Sequence, residues 1–436
     1  MRTILEAACA GTLSPVMNEI AHKEGVTADY VRDMIAGGKI VVAGVRNGRC
    51  SPVGIGKGLS TKVNASIGTS SDIIDIDAEV RKARAAEACG ADTLMELSVG
   101  GDLDRIRREV IAAVSIPVGN VPLYQAFCEA SRRYHDPARL SAEMLFDIIE
   151  MQCADGISFM AIHCGINLYT IERLKKQGYR YGGLVSKGGT SMVNWMLVNK
   201  KENPLYEQFD RVAALLKKYD VVLSLGNGLR AGAIHDSFDR AQVQELILNC
   251  ELAEEGRKMG CQMMVEGPGH VPLDEIEANI ILQKRMSNEA PYYMLGPLAT
   301  DVAPGFDHIA SAIGAASSAR YGADLICYIT PAEHLALPTE EDVRTGVKAA
   351  KIAAYIGDMN KYKEKGRERD REMSKARRDS DWEKQFRCAI YPGDARAIRE
   401  SRRPADGRTC TMCGQFCANE GSSRLFRDDL VPGEKK

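Results

Sequence analysis

The fold class is indicated most clearly by VVLSLGNGLRAG, residues 221–232. A short and mostly apolar run with high β propensity ends there in a glycine-rich turn that carries Asn227 and Arg230. After a helix-length segment the pattern recurs in MMVEGPGH, residues 263–270, which contains Glu266 and ends in His270. Strands separated by helix-length connections indicate βαβ units, in which the strands lie parallel in one sheet.

Similar runs alternate with amphipathic segments from residue 60 to about residue 345, and they cover residues 62–68, 93–98, 116–124, 159–166, 182–189, 221–228, 263–270, 293–298 and 325–331. A closed barrel needs eight strands, so we expect one of these nine runs to be peripheral or not a strand. Polar residues end almost every run, and only a barrel brings all of its strand ends to one site. An open doubly wound sheet would gather only those near its switch point. The sequence therefore predicts an α/β fold, a (β/α)₈ TIM barrel.

Three segments follow from this pattern. Residues 1–58 are expected to form an N-terminal helical segment, residues 59–345 the barrel, and residues 346–436 a tail of helices that ends in a cysteine cluster. Within the tail, residues 361–384 alternate in charge sign, which is typical of a solvated helix. Beyond Pro404 the chain becomes polar and glycine-rich, so we expect this part to need a cluster and a partner in order to fold.

The composition excludes several classes of protein. With 57 basic and 59 acidic side chains the net charge is −2, which does not suit a binder held to nucleic acid mainly by charge. The sequence has no apolar run long enough to cross a membrane and no signal-peptide core, so we expect neither membrane nor nucleic-acid partners and a cytoplasmic location. Ten of the 13 cysteines are scattered singly, which indicates reduced thiols rather than disulfides.

The other three cysteines form the run Cys410-Thr-Met-Cys413-Gly-Gln-Phe-Cys417. Three thiolates at this spacing can bind three irons of a [4Fe–4S] cluster and leave the fourth iron open. A structural zinc site is the alternative, but it needs a fourth ligand, and no His follows His334. Redox-sensing thiols are a weaker third interpretation.

Two histidines stand at comparable strand ends, His270 in EGPGH and His334 in TPAEH. Two neutral imidazoles on neighbouring strands can bind a divalent metal such as zinc and leave positions for water or substrate. A histidine at a strand end is also often only hydrogen-bonded, so both interpretations stay open. His308 in GFDH is a third candidate ligand.

Two glycine-rich turns each carry one cation: SKGG, residues 186–189, with Lys187, and GNGLRAG, residues 226–232, with Arg230. In such turns backbone N–H groups can approach a phosphate closely while the cation balances its charge. Glycine-rich turns also occur simply as tight connections. Neither turn matches a P-loop or a dinucleotide-binding fingerprint.

Taken together, these motifs resemble the phosphomethylpyrimidine synthase (ThiC) family of radical S-adenosylmethionine enzymes from about residue 10 to residue 420. The resemblance is carried by VNASIG, MELS, VPLYQA, IHCGI, VSKGG, SLGNGLRAG, VEGPGHVPLDEIEAN, YYMLGPLATDVAPGFDHI, CYITPAEHLALP and CTMCGQFC. It implies a (β/α)₈ barrel, 5-aminoimidazole ribotide as substrate, a reductant protein, and a homodimer that exchanges its C-terminal cluster segments. It also implies that the cluster cleaves S-adenosylmethionine to a radical that removes hydrogen from the substrate's ribose, in a lyase reaction that rearranges carbon–carbon bonds.

The family's functional positions fall on residues of this chain. The resemblance implies a divalent metal on His270 and His334, and a [4Fe–4S] cluster on Cys410, Cys413 and Cys417. It implies catalytic roles for Glu266 and Asn227. The substrate contacts that it implies are Ser66, Met95, Tyr124, His163, Ser186, Lys187, Gly188, Asn227, Gly228, Leu229, Arg230, Glu266 and Tyr293.

Several of these positions depart from the pyrimidine synthase pattern. That pattern has Asn at Ser66, Arg at Lys187 and Asp at Asn227, whereas the metal and cluster positions are unchanged. The positions that bind the cofactors are retained while positions that contact the substrate are changed. This combination predicts a paralog with a different product. We therefore expect 5-hydroxybenzimidazole, the lower-ligand precursor of a cobamide, rather than the pyrimidine phosphate of thiamin. The alternatives are neutral drift within the pyrimidine synthases, and a non-catalytic sensor of a phosphate ligand with a redox or zinc tail.

Overall fold

The computed structural model describes residues 2–46, 48, 50–404, 407 and 409–423. The chain divides into two compact units, of which the first ends at Asp358 and the second begins at Met359. No helix in these described ranges is both long and apolar enough to span a bilayer.

The N-terminal segment contains three helices and a hairpin. The helices are α1 (Ile4–Cys9), α2 (Pro15–Glu24) and α3 (Ala28–Ala36), and the antiparallel hairpin pairs β1 (Ile40–Ala43) with β2 (Val53–Gly56). Each helix begins after a Ser or Thr whose hydroxyl accepts a backbone N–H of the first turn. The expected N-terminal helical segment is therefore present, and it also contains a hairpin that was not predicted, because two four-residue strands are too short to show alternation.

This segment packs against the amino ends of the barrel strands. The backbone N–H of Ile4 donates to Asp220 Oδ2 at 2.9 Å, and that of Val42 donates to Gln262 Oε1 at 2.7 Å. Asp220 and Gln262 each lie just before a barrel strand, so the segment covers the face of the barrel opposite to the strand ends that carry polar residues.

Eight parallel strands form a closed barrel, which confirms the predicted TIM-barrel class. They are β3 (Lys62–Ile67), β4 (Thr93–Glu96), β5 (Val118–Asn120), β6 (Phe159–Ile162), β7 (Val222–Leu225), β8 (Met263–Glu266), β9 (Tyr292–Met294) and β10 (Leu325–Cys327). Each strand pairs with the next in sequence, and β10 closes the ring by pairing with β3. All residues of β4, β6, β7 and β8 are buried, as expected for parallel strands covered on both faces.

Helices surround this ring. They are α4 (Ile76–Ala88), α5 (Leu103–Ala113), α6 (Pro122–Tyr134), α7 (Ala142–Ala154), α8 (Leu168–Gln177), α9 (Lys187–Asn199), α10 (Pro204–Glu207), α11 (Phe209–Tyr219), α12 (Arg240–Lys258), α13 (Leu273–Met286), α14 (Asp307–Tyr321) and α15 (Glu340–Lys361). Short 3₁₀ helices cover Pro137–Arg139 and Ile234–Asp236.

Of the nine predicted strands, the run at residues 182–189 is the one that does not form a strand. Gly183 has a φ of +61°, which interrupts an extended run, and only Leu184 makes an isolated bridge, to Ala231. Ser186 is the N-cap of α9, and its Oγ accepts the N–H of Gly189 at 3.0 Å. The capping serine and the following glycines therefore start a helix where the sequence suggested a strand.

The second unit contains α16 (Lys363–Arg378), α17 (Trp382–Cys388), α18 (Pro392–Ser401) and α19 (Ala418–Ser423), with a 3₁₀ turn over Gly414–Phe416. The alternating charges form ion pairs such as Lys384–Glu372, at 2.8 Å. The guanidinium of Arg399 lies 3.4 Å from the centre of the Trp382 ring. Cation–π contacts thus supplement a small apolar core in this unit.

Candidate active site

A cavity of about 260 Å³ opens at the carboxyl ends of the barrel strands. Every strand, or the turn that follows it, contributes to its wall. The sequence-predicted residues that line it are Ser66, Met95, Tyr124, His163, Arg230, Glu266, His270, Tyr293 and His334. Because the ring is closed, residues that are far apart in the sequence meet in one small space.

His163 is a buried and neutral imidazole in this wall. Its Nε2 lies 3.0 Å from Ser186 Oγ, and burial, together with the charge of Arg230, lowers its pKa to about 3. Three glycines surround the ring: a Cβ on Gly188 would lie 2.5 Å from it, and a Cβ on Gly226 or Gly228 would lie 3.0 Å from it. His163 Nδ1 is buried and has no hydrogen-bond partner among the described residues.

Glu266 is a buried carboxyl group at the end of β8. Its Oε2 accepts a hydrogen bond from the N–H of Asn227 at 3.3 Å, and its Oε1 accepts one from the hydroxyl of Ser224 at 3.4 Å. Burial raises its pKa and the charge of Arg230 opposes that shift. Burial therefore favours the protonated form of Glu266 more than it does for an exposed glutamate, which suits a group that exchanges protons.

Side chains from four neighbouring strands, β9, β10, β3 and β4, form one wall of the cavity. The hydroxyl of Tyr293 accepts Asn64 Nδ2 at 2.9 Å and lies 3.6 Å from Met95 Sδ. Ser66 Oγ lies 3.5 Å from Cys327 Sγ. Burial raises the pKa of the Cys327 thiol, which therefore stays protonated beside the substrate space.

The turn after β7 is held from behind by Glu245 of α12. Glu245 Oε1 accepts the N–H of Gly228 at 2.7 Å, and Oε2 accepts the N–H of Leu229 at 2.7 Å and Asn227 Nδ2 at 2.9 Å. These backbone N–H groups were expected to face a phosphate, but a carboxylate of the chain itself occupies them. The amide of Asn227 is accordingly directed at Glu245, and Asn227 is not among the residues lining the cavity.

Lys187 lies at the N-terminus of α9, next to the cavity. Its Nζ is 5.0 Å from the centre of the Tyr124 ring, and burial lowers its pKa. Lys187 lines a second and larger cavity of about 850 Å³, and Tyr124 lines both. The first-turn N–H groups of a helix and a lysine at one place are suited to an anion.

His270 and His334 form a pair at the mouth of the cavity. Their ring centres are 5.4 Å apart, and each Nδ1 faces an aspartate: His270 to Asp301 at 2.7 Å and His334 to Asp307 at 3.6 Å. The hydrogen bond of His270 Nδ1 to Asp301 leaves His270 Nε2 for a metal, whereas the 3.6 Å between His334 and Asp307 is too long for a hydrogen bond. Among the described residues, no group of three or more His, Cys, Asp or Glu is arranged to hold a metal ion.

His308, the third candidate ligand, is not among the residues that line the cavity. Its ring instead stacks on Phe306 at a distance of 6.5 Å between centres. This position makes His308 a natural control for the two paired histidines.

Cys410, Cys413 and Cys417 lie in the second unit, and all three thiols are free. Backbone N–H groups of Cys413 and Met412 lower the pKa of the Cys410 thiol. Gly414 has a φ of +51° between the second and third cysteines, which turns the chain tightly there. The three thiols do not form a metal-binding group in the described part of the chain, so the cluster site stays a prediction from their spacing in the sequence.

A family model described as the Radical SAM ThiC family matches residues 3–424. This chain belongs to that family. It is 75% identical to a 5-hydroxybenzimidazole synthase of Geobacter metallireducens and 71% identical to one of Desulfuromonas acetoxidans, over 99% of this chain and 99% of each relative. It is 56% identical to phosphomethylpyrimidine synthase 1 of Methanosarcina barkeri over 95% of this chain and 97% of that protein. As a radical SAM family member, the chain is an enzyme that uses S-adenosylmethionine and an iron–sulfur cluster.

Sequence reasoning missed three notable residues of this family member's site. Cys327 and Glu333 line the cavity, and both lie within the quoted motif CYITPAEH, which could have pointed to them. Burial raises the pKa of Glu333, next to His334. Glu245 lies within a helix and in no motif, so its contact with the turn after β7 could be found only in three dimensions.

Proposed function

We propose that this chain is a 5-hydroxybenzimidazole synthase, a lyase that converts 5-aminoimidazole ribotide to 5-hydroxybenzimidazole. The observation that carries the proposal is the 75% identity to a relative of that name over 99% of both chains, against 56% to a pyrimidine synthase. Production of the thiamin pyrimidine phosphate from the same ribotide is the second candidate, because those relatives also match nearly the full chain.

The substrate's phosphate would bind at the N-terminus of α9. Lys187 supplies a cation there, and the first-turn N–H groups supply donors for the phosphate oxygens. Arg230, whose Nη1 donates to the carbonyl of Asn227 at 2.9 Å, supplies a second cation from the cavity wall. Charge-assisted hydrogen bonds of this kind would provide most of the binding and fix the orientation of the ribotide.

The interior groups would position the ring and sugar. Neutral His163 lines the cavity and can contact the substrate there, and the carboxyl group of Glu266 can hold or release a proton. When bound, S-adenosylmethionine and the cluster supply the radical chemistry, and the barrel excludes water from it. Ser66 and Met95 complete the wall, while Ser186, Gly188 and Asn227 act on the pocket through His163 and the turn after β7.

A divalent metal, for which zinc is our choice, would bind His270 and His334. The observations in support are the 5.4 Å between the two ring centres and the contact of His270 Nδ1 with Asp301 at 2.7 Å, which orients His270 Nε2 for coordination. The metal would provide a Lewis acid at the mouth of the cavity. The three cysteines would hold a [4Fe–4S] cluster with one iron left open for S-adenosylmethionine.

The active form would be a homodimer in which the cluster segment of one chain serves the barrel of the other. The polar tail after Pro404 supports this proposal, because it lacks the apolar residues needed to pack a core of its own. The proposal includes a protein that supplies electrons to the cluster. It also includes a cytoplasmic location and no nucleic-acid or membrane partner.

The product distinguishes the two candidate functions. Given 5-aminoimidazole ribotide, reductant and S-adenosylmethionine, the reconstituted chain should release 5-hydroxybenzimidazole, measured by chromatography and mass spectrometry. A barrier difference of ~1.4 kcal/mol between the competing routes already changes the product ratio tenfold. The pyrimidine phosphate as main product would reject the proposal. The double variant Ser66→Asn/Asn227→Asp should shift the outcome toward the pyrimidine or stop turnover.

Changing either paired histidine should remove metal. His270→Ala and His334→Ala should each lower the divalent metal bound after dialysis, measured by elemental analysis, because each removes one of two ligands. His308→Ala is the matched control and should bind metal like the parent. Metal content unaffected in both paired variants would count against the site.

The cluster should depend on three cysteines and no fourth. Anaerobic reconstitution should give about four irons per chain, and the spectrum of the reduced cluster should change on addition of S-adenosylmethionine. Cys413→Ala should lose this cluster, whereas the control Cys388→Ala should keep it. Zinc uptake without iron, or loss of the cluster in Cys388→Ala, contradicts the assignment.

Segment exchange predicts complementation between two inactive chains. Glu266→Gln removes the proton-transferring group of one barrel, and Cys413→Ala removes the cluster of the other chain. Mixed dimers should recover part of the parent activity, because one intact barrel then meets one intact cluster segment. Each variant mixed with itself is the control, and failure of every mixture to exceed it contradicts the exchange.

A further inference from the structure

One face of α12 holds the turn after β7. Asn249 Nδ2 donates to the carbonyl of Gly226 at 3.2 Å, and Gln242 Oε1 accepts the N–H of Ala231 at 2.9 Å. Between these two residues lies Glu245, which binds the middle of the turn. The spacing of 242, 245 and 249 places the three side chains on one side of the helix, so they act on the turn as a unit.

Glu245 is the charged member of this face, and its side chain is fully buried. Burying a carboxylate costs free energy that hydrogen bonds must offset. Here the N–H groups of Gly228 and Leu229 and the amide of Asn227 donate to its two oxygens. Burial still raises the pKa of Glu245 to about 7, against the opposing effect of those donors. Burying the Glu245 carboxylate therefore costs more folding free energy than an uncharged hydrogen-bonding residue would at this position.

The turn that Glu245 holds carries groups of the cavity. The carbonyl of Asn227 accepts Arg230 Nη1 at 2.9 Å, and the N–H of Asn227 donates to Glu266 at 3.3 Å. Gly228 lies against the ring of His163, which a Cβ there would approach to 3.0 Å. Moving the turn would therefore move Arg230 and disturb both Glu266 and His163.

We propose that Glu245 is a positioning residue of the active site, whose carboxylate sets the turn after β7 and thereby the groups that bind the ribotide. The proposal rests on the proposed function for the identity of the ligand. Glu245 is not among the residues that line the cavity, so it acts on the ligand through Asn227, Gly228 and Leu229.

The side-chain amide of Asn227 is the hydrogen-bond donor that matches the carboxylate of Glu245. Asn227 can donate to Glu245, whereas a carboxylate at 227 could not donate and would place two acids side by side. The pair Asn227–Glu245 thus carries one acid and one amide. Exchanging the two groups would keep that composition and restore their mutual hydrogen bond, although the N–H of Leu229 would then lose its acceptor.

The experiment compares Glu245→Gln with Asp220→Asn. Asp220 is a buried carboxylate that also accepts a backbone N–H, but it lies at the opposite end of β7. Calorimetry with 5-aminoimidazole ribotide, without S-adenosylmethionine, should show a Kd raised at least tenfold in Glu245→Gln and changed less than twofold in Asp220→Asn. Hydrogen exchange should become faster in segment 226–231 only in Glu245→Gln, because glutamine offers one acceptor oxygen where glutamate offers two, so the N–H of Leu229 loses its acceptor.

Two further variants keep the test decisive. Glu245→Asp retains the charge but shortens the side chain, and it should also raise the Kd. The exchange Asn227→Asp/Glu245→Gln should bind the ribotide more tightly than Glu245→Gln alone, by a non-additive amount. A parental Kd in either folded Glu245 variant overturns the inference, and so does unfolding of both while Asp220→Asn stays folded. A parent that binds the ribotide but makes another product overturns only the proposed function.

Discussion

Closure of the sheet between β10 and β3 is the constraint on which the rest of the structure depends. Ile326 lies opposite Val63 in that pairing, which makes the first and last strands of the barrel neighbours. Without it, Ser66 and Cys327 would stand at two distant sheet edges instead of 3.5 Å apart. The closed ring also limits the cavity to about 260 Å³, so every polar group in its wall is within reach of one small ligand.

Within this ring the protein places its ionisable groups where burial controls their charge. His163 is kept neutral, the pKa of Glu266 is raised, and Arg230 acts on both of them. Glycines 188, 226 and 228 let the backbone approach His163 more closely than any other residue would allow. The turns that sequence analysis associated with phosphate therefore have two separate roles: one begins a helix suited to an anion, and the other surrounds the imidazole and is held by Glu245.

The barrel could be predicted from the sequence because its signal is repeated: apolar runs at helix-length spacing, each ending in a polar residue. The strands β1 and β2 could not, since four residues are too few to establish a period. The run 182–189 misled because Val185 and Leu184 share strand preferences, whereas the capping contact of Ser186 and the φ of Gly183 decide its conformation. Strand-end residues such as Glu266 could be predicted from the sequence, because the carboxyl ends of all strands of a closed parallel barrel meet at one face. Glu245 was missed because it reaches the site from the back of a helix.

The most direct test of this account is a crystal structure of the anaerobically reconstituted enzyme with 5-aminoimidazole ribotide. The account predicts the phosphate at the N-terminus of α9, in contact with Lys187 and Arg230, and the ring between His163 and Glu266. Glu245 should still accept the N–H groups of Gly228 and Leu229, as it does here. A phosphate bound to those two N–H groups with Glu245 displaced, or a ribotide outside the mouth of the barrel, would contradict it.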